Sequence, residues 1–173
     1  MPEREQTSTD VRPSGTEAVA RRYFELISEH DFEAAGALWE PGALDRLPGH
    51  DLVAPGDIVE YFSGLVRAFP DFRFEVLEQV TEGDRSVARW RITGTFDGEG
   101  SFEGLEPNGS RVELEGADVA QVRDDRVVSN LAYFDSAEVA RQLGALPPRG
   151  SLAERGMTAA LNLRTRVAAR LRR

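Results

Sequence analysis

Residues 111–134, RVELEGADVAQVRDDRVVSNLAYF, hold the groups best placed for proton chemistry. They read as two β-strands joined by a tight Asp124-Asp125 turn. Side chains alternate faces along a strand, so Val112, Leu114, Gly116, Asp118, Ala120 and Val122 share one face, apolar except for Asp118. A carboxyl there loses hydration and must find donors or keep its proton. Asp118 is then either an interior Asp satisfied by its neighbours or a carboxyl of raised pKa used in a pocket. In the following strand Asn130, Ala132 and Phe134 share a face, which makes Asn130 a second polar group in a largely apolar cavity. A few converging polar groups in an apolar pocket are the usual form of a small-molecule site.

Two groups upstream could join them. Tyr23 falls on the apolar stripe Val19, Tyr23, Leu26, Ile27 of a helix running from Thr16, its expected cap, to about Glu29, so its hydroxyl points inward and needs a partner. Asp45 lies in a short expected strand at 43–47, ahead of a loop to residue 56 that also carries His50 and Asp51. Loops beside a scaffold opening often carry catalytic groups, although solvated loop charges are commoner.

The remaining elements must position these four. Asp31 is a natural cap for a second helix that buries Phe32, Ala35, Leu38 and Trp39 and stops at Pro41-Gly42. Asp57 is expected to cap a third helix, with Ile58, Phe62, Leu65 and Phe69 as its apolar side. Strands follow: one through Phe72, Phe74 and Val76, and one at about 86–96 with Ala88, Trp90, Ile92 and Phe96 inward. The Gly-rich stretch GEGSFEGLEPNG is no phosphate loop, because it lacks the Lys-Ser/Thr ending and precedes a strand. Asp135 caps a short helix that stops at Gly144, and beyond the linker Pro147–Gly150 a capping box of Ser151 and Glu154 opens a C-terminal helix. Trp90, Phe62, Asn130, Ala132 and Phe134 are the expected ligand-binding side chains, with Asp45, Tyr23 and Asp118 as the catalytic set.

Composition narrows the classes. A chain of 173 residues suits one domain with tails: 1–14 polar and disordered, 15–146 the folded domain, 147–173 a basic helical extension. The absence of Cys removes thiolate nucleophiles, disulfides and Cys-metal sites. No apolar run approaches a membrane span and no signal-peptide core opens the chain, so a cytoplasmic protein is expected. All 21 basic residues are Arg, a coding bias associated with GC-rich bacterial genomes. Residues 145–173 carry seven Arg and only Glu154, a net +6, against −15 for the rest. An acidic body argues against nucleic acid as a partner.

From Gly94 onward the chain shows Gly-Thr-Phe, Glu-Pro-Asn-Gly and Gln142-Leu143-Gly144. These motifs resemble the Gly-Thr-His-x-Gly opening, Pro-Thr-Gly turn and terminal Gln-Leu-Gly of the SnoaL-like polyketide cyclases in the nuclear transport factor 2-like superfamily, over about residues 16–144. The resemblance implies an α+β cone: a barrel of strongly bent antiparallel sheet packed against three N-terminal helices, followed here by the C-terminal helical tail. Phe96 stands where His is common in the opening motif. Counting back from the terminal motif, the family's acid/base Asp falls on Ala132 and its assisting His on Asp118.

Two stretches, Ala20-Arg21-Arg22-Tyr23 and Arg126-Val127-Val128-Ser129 through Phe134, are also similar to ketosteroid isomerases of the same superfamily. That similarity implies an oxyanion-hole Tyr at Tyr23 and a protonated oxyanion-hole Asp at Asp118. The isomerase base aligns nearest to Leu47, and Asp45, two residues earlier, shares its face on a strand. The expected chemistry is enolisation, as a cyclase or isomerase, of a hydrophobic carbonyl compound such as a polyketide or steroid-like molecule. Asp45 takes the proton while Tyr23 and neutral Asp118 donate to the enolate oxygen. No cofactor or metal is called for. The alternative is a non-catalytic member that binds a hydrophobic ligand or a protein. The outer sheet face, with Val119, Val127, Leu131 and Tyr133, suggests a two-fold homodimer, also the habit of the resembled family. The basic helix is expected to dock on protein in preference to a membrane.

Overall fold

The structure, a computed structural model, describes residues 15–171. The expected N-terminal disorder, with Arg172 and Arg173 of the basic tail, lies outside these residues. Helices α1 (Thr16–Glu29), α2 (Phe32–Ala37) and α3 (Gly56–Ala68) frame strands β1 (Trp39–Leu47) and β2 (His50–Val53). Then come β3 (Arg73–Glu82), β4 (Arg85–Phe96), β5 (Ser110–Arg123), β6 (Arg126–Phe134), α4 (Ser136–Gln142) and α5 (Leu152–Leu171). The strands form one curled, unclosed sheet in the order β2-β1-β6-β5-β4-β3, with β1 parallel to β6 and the other pairings antiparallel. The helices α1–α3 cover its concave face, so the α+β cone follows from the apolar alternation of the strands.

Local details depart from the sequence expectations where tertiary partners compete. The N-cap of α1 is Gly15, whose N–H is held by Asp125 Oδ1 at 2.7 Å, and Thr16 is already helical. Pro55 caps α3, because the Asp57 carboxylate is turned back to the N–H of Val53 at 2.9 Å. Trp39 belongs to β1, not to α2, and β1 runs on through Pro41-Gly42 by a register shift between Trp39 and Leu44. The loop after residue 47 contains β2, paired with β1. Asp31 and Asp135 do cap α2 and α4, accepting from Ala34 N and Glu138 N.

Between β5 and β6 the register shifts, so Gln121 opposes Ser129 but Val122 opposes Val127, leaving Val128 as an extra residue. This bulge reverses the faces near the turn. Val127, expected on the outer sheet face, is therefore buried against Trp39 and the helices.

The Asn108 turn and the terminal Gln-Leu-Gly meet in space. Gln142 exchanges both hydrogen bonds with the Glu113 backbone at 2.8 and 3.0 Å, and Asn108 Nδ2 donates to Leu143 O at 3.0 Å. Together they pin α4 over β5. Helix α5 is held at its first turn, where Glu154 accepts from Gly150 N and lies 3.8 Å from Arg141. Its Leu152, Met157, Leu161, Leu163 and Val167 are exposed. Among the described residues no helix is long and apolar enough to cross a membrane.

Candidate active site

Asp118 and Asp45 come from different strands and meet through one amide. Asp118 sits on the inward row of β5, and Asp45 on β1 opposes Asn130 on β6 in the parallel pairing. Asn130 Nδ2 donates to Asp45 Oδ1 at 2.9 Å and to Asp118 Oδ2 at 2.8 Å. Trp90 Nε1 donates to the other Asp118 oxygen at 2.9 Å. Exposure of the three polar side chains is 2% for Asp45, 8% for Asp118 and 3% for Asn130. Asn130 Oδ1 is buried without a donor, a penalty of about 1–3 kcal/mol set against the two bonds its Nδ2 makes to the carboxyls.

The two carboxyls line a cavity of about 100 Å³. Its walls are otherwise apolar: Phe62, Phe69, Phe72, Phe74, Trp90, Phe102 and Phe134 supply rings, and Leu114, Ala132 and Val139 fill between them. Tyr61 and Thr93 bring hydroxyls, and among the described residues no Arg or His lines it. Among the described residues no group of three or more His, Asp or Glu is gathered as a metal site.

Electrostatics follow from burial. Asp45 is pushed up to about 7, first by desolvation, then by the charge of Asp118, against the pull of Asn130 and Tyr23. Burial also raises Asp118, with Trp90 and Asn130 pulling it back. Tyr23 is raised well above its usual value by burial and by the two carboxyls, and Tyr61 is raised to about 12 by burial, Glu103 and Asp45.

The structure thus gathers Asp45, Asp118 and Asn130, and puts Trp90, Phe62, Ala132 and Phe134 on the cavity wall. Tyr23 and Asn130 are not on that wall. Tyr23 lies behind Asp45, packed edge-on against Trp39 at 5.6 Å between ring centroids, and Asn130 is the bridge between the acids. His50 faces Glu103 at 2.7 Å, outside the carboxyl pair. Tyr61 escaped the sequence reading. Its spacing from Ile58 and Leu65, three and four residues along one helix, is the signal that would have found it.

The model of the SnoaL-like polyketide cyclases matches residues 17–143, most of the chain. This protein belongs to that family. Membership supports a role of the cyclase or isomerase type. AclR from Streptomyces galilaeus, a candidate hydroxylase, is 25% identical over 91% of this chain and 94% of its own, with a TM-score of 0.67. IdmH from Streptomyces antibioticus, a candidate polyketide cyclase, is 26% identical over 76% and 99%, with a TM-score of 0.62. TsrD from Streptomyces laurentii, at 20% identity over 77% and 100% and a TM-score of 0.66, shares the fold. No curated protein sequence matches.

In this SnoaL-like chain the two positions to which the family's acid/base pair maps, Ala132 and Asp118, are direct cross-strand neighbours. Ala132 leaves room beside the carboxyls, and Asp45 enters from the neighbouring β1. Phe96 is fully buried and stacks on Phe69 at 5.0 Å, so the position where His is common serves packing here.

Proposed function

We propose that this SnoaL-like protein catalyses cofactor-independent proton transfer next to a carbonyl, as a cyclase or isomerase of an uncharged hydrophobic compound. The observation that carries this is the amide-bridged pair of buried carboxyls on the wall of an aromatic cavity. A pocket without a cation favours a neutral substrate, since an anion would lose its hydration with nothing to pair it. Asp45, held near neutrality, suits a general base: its carboxylate takes a proton from the carbon next to the carbonyl and returns it to another atom of the same molecule. The Tyr61 hydroxyl, on the cavity wall and within the field of Asp45, suits donation to the enolate oxygen. Tyr23 supports Asp45 from behind, a placement that suits positioning and not contact with substrate.

The test is exchange of carbon-bound protons. A panel of aromatic and alicyclic ketones in D2O is followed by proton NMR with the wild type and Asp45→Asn. Exchange in the wild type that is lost in the variant is expected. Ketones that bind without exchange would favour a hydrophobic-ligand carrier instead.

A further inference from the structure

The two carboxyls look alike in sequence and differ in what surrounds them. Both oxygens of Asp118 face N–H groups, Trp90 Nε1 at Oδ1 and Asn130 Nδ2 at Oδ2. An N–H has no lone pair and cannot accept a proton, so each Asp118 oxygen presents a lone pair outward. Asp45 receives a single N–H, at Oδ1, and its other neighbour is the Tyr23 hydroxyl, a group that can give or accept a hydrogen bond. The orientation of Asn130 adds a second observation. Its nitrogen faces both acids although this leaves Oδ1 buried without a donor. Turned over, Oδ1 would be satisfied only if a carboxyl gave it a proton.

We propose that Asp118 is a fixed carboxylate, held by Trp90 and Asn130, whose charge raises the proton affinity of Asp45, the base of the pair. Asp118 is then a tuning group for Asp45, not a neutral donor to an oxyanion, and Asn130 is the positioning residue that couples the two. This builds on the acid/base assignment of the pair above. The surroundings agree. The groups facing the acids are Tyr23 from α1, Trp90 from β4, Asn130 from β6 and Tyr61 from α3, with Glu103 beyond Tyr61; among the described residues no Arg or His acts on either acid. Burial raises both acids, and the two N–H donors pull Asp118 back.

The decisive experiment is a 13C NMR titration of the Asp carboxyls in the substrate-free protein. Asp45→Asn and Asp118→Asn assign the signals, and circular dichroism confirms that each variant is folded. In the wild type Asp118 should titrate below Asp45. In Asp118→Asn the Asp45 midpoint should fall by about one unit or more, the coupling expected of neighbouring carboxylates. In Trp90→Phe, which removes one donor, the Asp118 midpoint should rise. An Asp118 midpoint above that of Asp45 in the wild type would overturn the proposal, and triple-resonance assignment of the wild type keeps that order readable even if a variant does not fold. An unmoved Asp45 midpoint in a folded Asp118→Asn protein would also overturn it. Because no substrate is present, a failure of the ketone assay bears on the function alone and leaves this result standing.

Discussion

Gly116 lies where the Trp90 indole crosses β5: a Cβ at Gly116 would stand 2.4 Å from Trp90 Cη2 and Cζ2, and 2.8 Å from Tyr133 O. The two residues oppose each other across β4 and β5. Glycine is needed here for space, and the space lets the indole lie flat with Nε1 aimed at Asp118, two residues along the same strand. Gly116→Ala should therefore push the ring aside and break the Trp90–Asp118 bond. A loss of about 1–3 kcal/mol, the usual cost of overpacking, is expected in denaturant melts, with a shift in tryptophan emission. Wild-type stability and emission in the alanine variant would show that the ring has another place to go.

The buried pair should make stability fall as pH rises from about 4 to 7. Asp45 rises from 3.8 to about 7 on folding, so the folded state binds its proton more tightly. Its contribution is fully present below 3.8 and is lost as pH rises through about 7, by at most about 4 kcal/mol. Asp45→Asn, which cannot ionise, should flatten that slope and be more stable than the wild type at pH 8. Asp71, held below its usual range by Thr95, acts in the opposite sense and only in more acid solution. Urea melts from pH 4 to 8 would check this, and parallel curves for wild type and variant would contradict it.

Tyr23 and Tyr61 should separate kinetically once a substrate is in hand. The Tyr23 hydroxyl favours the Asp45 anion, so Tyr23→Phe should move the midpoint of the pH–rate profile upward and leave the plateau nearly intact. Tyr61→Phe should lower the plateau by about 10²-fold, as loss of one oxyanion donor does. The reverse pattern would transfer the donor role from Tyr61 to Tyr23.

The outer sheet face retains an apolar row. Val80, Val87, Val119 and Leu131 lie opposite one another across β3, β4, β5 and β6, and Tyr133 beside them is 56% exposed. We expect a two-fold dimer through this face, and Leu131→Arg should yield a monomer in sedimentation velocity. A monomeric wild type would refute it.

Helix α5 should find its partner on the acidic body of a neighbouring copy. Its arginines are opposite in charge to that surface, though each exposed ion pair adds only about 0–1 kcal/mol. Deleting residues 148–173 should weaken assembly. If it abolishes binding to anionic vesicles and leaves the assembly unchanged, a membrane is the partner instead.

How far the chain could be read depended on the range of the interactions involved. The inward row of β5 needs only a period of two, so the interior place of Asp118 was legible from residues 112–122, and the helical spacing of α1 likewise turned Tyr23 inward. The motifs around Asn108 and Gln142 pointed to the cone, and in the structure their side chains pin α4 to β5 through backbone groups of Leu143 and Glu113. The Asp45–Asn130 pairing was not legible: it depends on a parallel register between strands 85 residues apart, which no local pattern encodes. Whether Tyr23 touches the cavity or stands behind Asp45 was equally hidden, since a helical stripe says inward but not against what. Val127 was misplaced because one extra residue, Val128, reversed the alternation, and a bulge is chosen by the pairing of two strands together. The proton state of the acids lies furthest from the sequence. It depends on which oxygens meet an N–H, and those donors, Trp90 and Asn130, reach Asp118 from the strands on either side of it.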